Sequence, residues 1–242
     1  MQRRRVVLSW SSGKDSAWSL QQLRENPQLE VVGLATTVNS AFDRVAMHAV
    51  RRTLLHRQAQ AAGLPLYEIP IPSPCPNAEY ERIMTGFVQQ LKDNRVDDMA
   101  FGDLFLADIR AYRERQLQGS GITPLFPLWN QPTGALAQTM LDAGLKAVLT
   151  CVDPKQLAPD FCGRRFDAAL LAALPASVDP CGENGEFHTF TFDGPMFREA
   201  IDIEIGVTVE RDGFVFTDLC EAGDPEHESD RRNARPPEVP GQ

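Results

Sequence analysis

Residues 5–16, Arg5-Val-Val-Leu-Ser-Trp10-Ser-Ser-Gly-Lys-Asp-Ser16, run from an apolar strand through a turn of small residues into a helix. The strand delivers the backbone into a turn whose amide N–H groups can face an anion. Asp15 and Ser16 then start a helix whose positive end adds to the attraction. A nucleotide phosphate fits such a cradle; an ordinary capped helix after a strand is the plainer alternative. The Walker loop is excluded, because it needs a glycine five residues before its Gly-Lys pair and Ser or Thr after the lysine, and Leu8 and Asp15 hold those places.

Beyond the loop, residues 30–37 read as a second buried strand, after which Met47, Val50, Leu54 and Ala61 recur at helical spacing until Gly63 and Pro65 stop them. Residues 66–71 predict a third strand, and Tyr80, Met84, Phe87 and Leu91 mark one face of a third helix. Residues 98–102 predict a fourth strand. Strand alternating with helix implies right-handed crossovers and a parallel sheet covered on both faces. Ligands of such sheets bind at the carboxyl ends of the strands, where residues 11–16, residues 36–39 and the pair Gly102 and Asp103 should converge.

From about Gly121 the character changes. Residues 123–129 are punctuated by proline, a helix is expected over 135–143, and residues 146–152 read as another strand. Ile201, Ile203, Ile205, Val207 and Val209 alternate with polar residues, which predicts a half-exposed strand, and Arg211-Asp-Gly213 turns it into a partner at 214–219. The expected architecture is α/β. A nucleotide-binding half covers residues 1–120, and a smaller α+β half over 121–222 closes on it. An acidic, proline-rich tail over 223–242 is expected to be disordered.

Composition sets the bounds. At 242 residues the chain can bury a real core, and no apolar run is long enough to span a bilayer, so a cytoplasmic protein is expected. Cys75, Cys151, Cys162, Cys181 and Cys220 form no C-x-x-C pair, which points away from a zinc knuckle or disulfide framework. A net charge of −9 argues against sequence-independent binding of DNA. His48 and His56, eight residues apart, read as ordinary helix residues.

A second dense patch is Val178-Asp-Pro-Cys-Gly-Glu-Asn-Gly-Glu-Phe-His-Thr189, which has no apolar periodicity to explain it. Glu183 and Glu186 flank Gly185, so a tight turn could point both into one cavity, to hold Mg²⁺, orient an amine or act as a base. A surface turn with solvated acids satisfies the same spacing. His188 titrates near neutral pH and lies beside them, and it too has a purely structural reading.

Residues 11–16, Ser-Ser-Gly-Lys-Asp-Ser, resemble the SGGKDS signature of PP-loop ATP pyrophosphatases, with Ser12 in place of the first glycine. If that position needs positive φ, serine costs on the order of 1 kcal/mol. Taken with Phe101-Gly-Asp-Leu104, Arg110, Glu114, Pro127-Leu-Trp129, residues 157–163, Cys181-Gly-Glu-Asn-Gly-Glu186 and Phe192-Asp-Gly-Pro-Met-Phe197, the loop makes a set that resembles the diphthine–ammonia ligase family over roughly residues 5–200. Where that family usually has Glu-Tyr-Glu-Thr, this chain has Glu186-Phe-His-Thr189.

The resemblance implies a sheet of the adenine nucleotide alpha hydrolase type and an amide-forming reaction. In that reaction ATP adenylates the carboxylate of diphthine on elongation factor 2, and ammonia displaces AMP. By position it places ATP on Ser11, Ser12, Gly13, Lys14, Asp15, Ser16, Thr36, Gly102 and Asp103. Lys14, Asp15, Glu183 and Glu186 become the catalytic candidates, Asp15 also a Mg²⁺ ligand. Arg110, Glu114, Glu183, Asn184, Glu186 and His188 fall at the acceptor. A nucleotide sensor, an ATP pyrophosphatase with another acceptor, and a tRNA-modifying enzyme are the alternatives. A sheet edge in the second half could pair with another copy.

Overall fold

The computed structural model describes residues 2–39, 44–45 and 50–223. The first half alternates strand and helix: β1 (Arg4–Ser9), α1 (Lys14–Glu25), β2 (Leu29–Asn39), β3 (Arg44–Val45), α2 (Arg52–Ala62), β4 (Leu66–Ile71), α3 (Asn77–Asp93), β5 (Asp98–Ala100), α4 (Ala107–Leu117) and β6 (Thr123–Leu125). Five strands, in the order β4-β2-β1-β5-β6, are parallel, and β3 runs antiparallel to the end of β2. This is the expected PP-loop, Rossmann-like sheet.

Strand β1 lies at its centre, and Val6, Val7 and Leu8 are wholly buried. Strand periodicity sends alternate side chains to opposite faces. Val6 and Leu8 accordingly pack with Trp18 and Leu20 of α1 and Leu54 and Leu55 of α2. Val7 packs with Met84, Phe87 and Leu91 of α3. A strand buried on both faces reads as a continuous apolar run.

Two sequence expectations need correction. Helix α2 starts at Arg52, so Val50 is buried ahead of it rather than within it, while Met47 and His48 fall outside the described residues. Its end is as read, with Gly63 at φ +65° donating to the carbonyls of Ala59 and Gln60. The proline-punctuated stretch after residue 121 holds β6, which pairs Met99 with Pro124, so the first sheet extends past residue 120. Proline cannot donate to a ladder, and β6 lies at the sheet edge where one missing donor is tolerated.

The second half comprises α5 (Thr133–Asp142), β7 (Lys146–Val152), β8 (Arg165–Phe166), α6 (Ala168–Ala173), β9 (Phe187–Asp193), β10 (Ile203–Arg211) and β11 (Phe214–Glu221). β7 pairs antiparallel with β8, β9 and β11, and β10 extends the sheet beyond β11. Its residues Ala147, Val148 and Leu149 join the same core as α1 and α2, so one apolar interior serves both sheets. The alternation along β10 overstates its burial. Ile205, Val207 and Val209 are 41%, 44% and 49% exposed, and the pairing with β11 shifts register between Ile205 and Thr208. The tail from residue 224 lies outside the described residues. Among the described residues no helix is long and apolar enough to cross a membrane.

Polar ties join the halves. Gln58, fully buried on α2, accepts from Trp10 Nε1 at 2.8 Å and donates to the carbonyls of Ser12 and Thr191. Arg24 donates to the carbonyls of Met196 and Ala62, and Arg51 pairs with Asp218 at 2.6 Å.

Candidate active site

The site is built where β1 ends. Trp10 N–H donates to the Ala35 carbonyl, and Ser11, Ser12 and Gly13 then turn the chain into α1. Ser12 stands at φ +72°, so the position where the PP-loop signature has glycine does adopt the left-handed backbone. Its hydroxyl is buried and has no hydrogen-bond partner among the described residues.

Helix α1 carries no side-chain cap. The first N–H groups of any α-helix lack intrahelical acceptors, so an uncapped end offers its amides to an anion. One of them is taken: Lys14 N–H donates to Thr189 Oγ1 of β9 at 3.1 Å. The loop is braced internally by Ser16 Oγ, which donates to the Gly13 carbonyl at 2.9 Å. Gly102, just past β5, presses on this first turn, where an added Cβ would lie 3.2 Å from the Asp15 and Ser16 backbone.

Between loop, β5 end and second sheet opens a cleft of about 850 Å³, whose walls include Lys14, Asp15, Asp103, Arg113, Glu183 and His188. Ser11, Gly13, Ser16 and Gly102 also line it, with Phe214 and Phe216 of β11. A smaller cleft of about 240 Å³ holds Thr36 and shares Ser9, Ser11, Phe101, Arg113 and His188 with the first. Thr36 is buried and spends its hydroxyl proton on the Trp10 carbonyl.

Lys14 is only 2% exposed, and its Nζ donates to Asp15 at 2.8 Å and to the Cys181 carbonyl. Burial pulls the ammonium pKa down, but Asp15, with further help from Glu183, outweighs it and raises the value, so the charge is kept. Glu183 is pushed up to about 7, first by burial and then by Asp15. Asp103 rises for the same two reasons against the opposing pull of Arg113. His188 is pushed down by burial and by Lys14, which keeps its imidazole neutral at pH 7. Burial lifts the Cys181 thiol to about 12, which removes it as a nucleophile.

The two glutamates do not share the cavity. Glu186 is 1% exposed and folds into its own loop, where Oε1 accepts from Asp179 N–H and Oε2 from Asn184 N–H, both at 2.9 Å. Burial alone would raise its pKa, and these amides together with the Asn184 side chain bring it below the usual carboxylate range. Glu186 therefore shapes the turn that presents Glu183, and Asn184 both braces that turn and stands on the cleft wall.

Arg110 and Glu114 are also turned away. They pair with each other at 2.8 Å on α4, and the Arg110 guanidinium lies 4.6 Å from the Trp129 ring centroid and 4.8 Å from that of Phe126. Arg113, almost one turn further on, reaches the cleft instead. The sequence reading missed it because α4 has no apolar periodicity to fix which side faces inward: Leu117 is its one buried residue.

Among the described residues no three His, Cys, Asp or Glu side chains form a metal cluster. A Mg²⁺ ion carried on a polyphosphate needs only one or two carboxylates, and Asp15, whose charge bears on both Asp103 and Glu183, stands in a group of acids that suits a cation.

Residues 4–124 match the family described as diphthamide synthase N-terminal domain, and residues 132–220 match the diphthamide synthase C-terminal domain. Among curated proteins, a diphthine–ammonia ligase of Danio rerio is 30% identical over 85% of this chain and 88% of its own length. One of Bos taurus is 26% identical over 89% of each chain, and one of Homo sapiens 25% identical over 83% of each.

Proposed function

The chain belongs to the diphthine–ammonia ligase family, and from that premise we propose that it is a cytoplasmic ATP-dependent ligase that converts a carboxylate to an amide with release of AMP and pyrophosphate. The observation that carries this reading is the uncapped start of α1 opening, beside buried and charged Lys14, onto the cleft that also holds Glu183.

In this reading the pyrophosphate end of ATP lies against α1 and Lys14, and the adenosine end enters the cleft beside Thr36. An acceptor carboxylate oxygen bonds to the α-phosphorus as the bond to the bridging oxygen breaks, and pyrophosphate leaves with the electron pair. Lys14 and the helix amides offset the charge that builds on it. Mg²⁺, held by the phosphates with Asp15 and its neighbouring acids, would supply further charge neutralisation.

The second step needs ammonia, which at neutral pH is mostly ammonium. Asp15, Asp103 and Glu183 attract that cation, and Glu183, with a pKa near 7, can take its proton. The freed nitrogen then bonds to the acyl carbon. AMP departs with the electron pair, and the nitrogen passes its surplus proton to water, leaving the amide. The acceptor we propose is of the diphthine class, borne on elongation factor 2 where the host makes it.

The test is product identity. Alpha-labelled ATP with Mg²⁺ and ammonium, with and without host extract as acceptor source, should yield acceptor-dependent AMP that disappears in Lys14→Ala. Release of ADP, or ATP bound with no AMP formed under any acceptor, overturns the proposal.

A further inference from the structure

Arg113 stands where the two clefts meet, one of the few residues common to both walls. Among the described residues its Nε, which is buried, finds no hydrogen-bond partner, and neither does the facing Asp103 Oδ2. The two are 3.8 Å apart, which satisfies charge but is too long for a hydrogen bond. The guanidinium is fixed over the Phe101 ring, 5.0 Å from its centroid. Such an orphaned, immobilised donor is rare in a folded protein and calls for a ligand.

We infer that Arg113 holds the α-phosphate of the nucleotide, and afterwards the phosphate of the acyl-adenylate, at the junction of the two clefts. The inference rests on the nucleotide reading above. If pyrophosphate lies against α1 and adenosine beside Thr36, the phosphate between them must occupy the stretch whose walls are shared. Lys14 is already engaged by Asp15 and the Cys181 carbonyl. Among the described residues Arg113 is therefore the cation with a donor to spare there, and a guanidinium fork suits phosphate oxygens geometrically. As the carboxylate oxygen bonds to the α-phosphorus and pyrophosphate leaves, Arg113 keeps the same oxygens and no proton moves through it. It thus retains the adenylate until ammonia arrives.

Calorimetric titration of the full chain with ATP, AMP and inorganic pyrophosphate, for the parent, Arg113→Met and Arg113→Lys, tests this. AMP should bind at least about tenfold more weakly to Arg113→Met, with partial recovery in Arg113→Lys, while pyrophosphate stays within about threefold. Equal losses for AMP and pyrophosphate, or none for either, would overturn the assignment and leave Arg113 as a partner of Asp103 alone. A parent protein that binds none of the three removes the nucleotide reading, and this inference with it.

Discussion

Gln58 Nε2 donates to the carbonyl of Ser12 at 2.9 Å, so a residue in the middle of α2 holds the turn ahead of α1 in place. The same amide group accepts from Trp10 and donates to Thr191, whose own N–H is the second donor to the Ser12 carbonyl. Replacing it by methionine of similar volume leaves a buried indole N–H without an acceptor and two carbonyls short of a donor. Gln58→Met should cost about 2–4 kcal/mol in urea unfolding, with an unchanged denaturant slope.

Ser12→Gly should stabilise the protein. Serine at φ +72° is strained, and its buried hydroxyl is unpaired among the described residues. Glycine removes both defects, for a gain of about 1 kcal/mol, whereas Ser12→Ala removes only the second. Chemical denaturation should rank the three as Gly, Ala, Ser; a weaker Gly variant would mean the hydroxyl has found a partner.

Glu183 imposes a pH dependence with a definite sign. Its folded pKa of about 7 lies above the ordinary 4.5, so across that window the folded state binds the proton that the unfolded chain has lost. Its contribution to stability is complete below pH 4.5 and is lost as pH rises to about 7, by at most about 3 kcal/mol. Glu183→Gln should flatten this part of the stability profile, and the variant should gain over the parent as pH rises, levelling off above 7. On the functional side the same change should lower amide formation by about 10²-fold or more while ATP binding persists.

Glu186→Gln should behave differently from its neighbour. A carboxylate held low by amide donors contributes stability that is present above pH 4.5 and is lost as pH falls through its depressed folded value. Glutamine offers one acceptor where two are used, so this variant should lose about 2 kcal/mol at pH 7. Its nucleotide turnover per folded molecule should fall less than that of Glu183→Gln; the reverse order would return Glu186 to the chemistry.

The parallel sheet was legible because its strands are apolar runs and its helices carry clear periodicity, as in Met84, Phe87 and Leu91. Strand β6 was not, since three residues containing Pro124 give no strand signal of their own and pair only because β5 lies beside them. Helix α4 was invisible for the opposite reason. Being polar around most of its circumference, it gave no means of separating Arg110, stacked on Trp129, from Arg113 in the cleft. Spacing likewise put Glu183 and Glu186 in one turn but could not say which would be claimed by the amides of Asp179 and Asn184. The roles of Gln58 and Thr189 depend on contacts 133 and 175 residues away, and nothing local announces them.

The bond from Lys14 N–H to Thr189 Oγ1 makes the phosphate cradle a composite. Its turn comes from one end of the chain and its brace from the other, so neither half is a portable cassette. A gene fragment ending at residue 130 would encode every strand of the first sheet yet leave this amide and one face of the core without their counterparts, and the Ser12 carbonyl with one of its two donors. Grafting the first half onto a different acceptor module would therefore carry the nucleotide signature without its bracing, and shuffling between relatives would succeed only where β9 travels with the loop it supports.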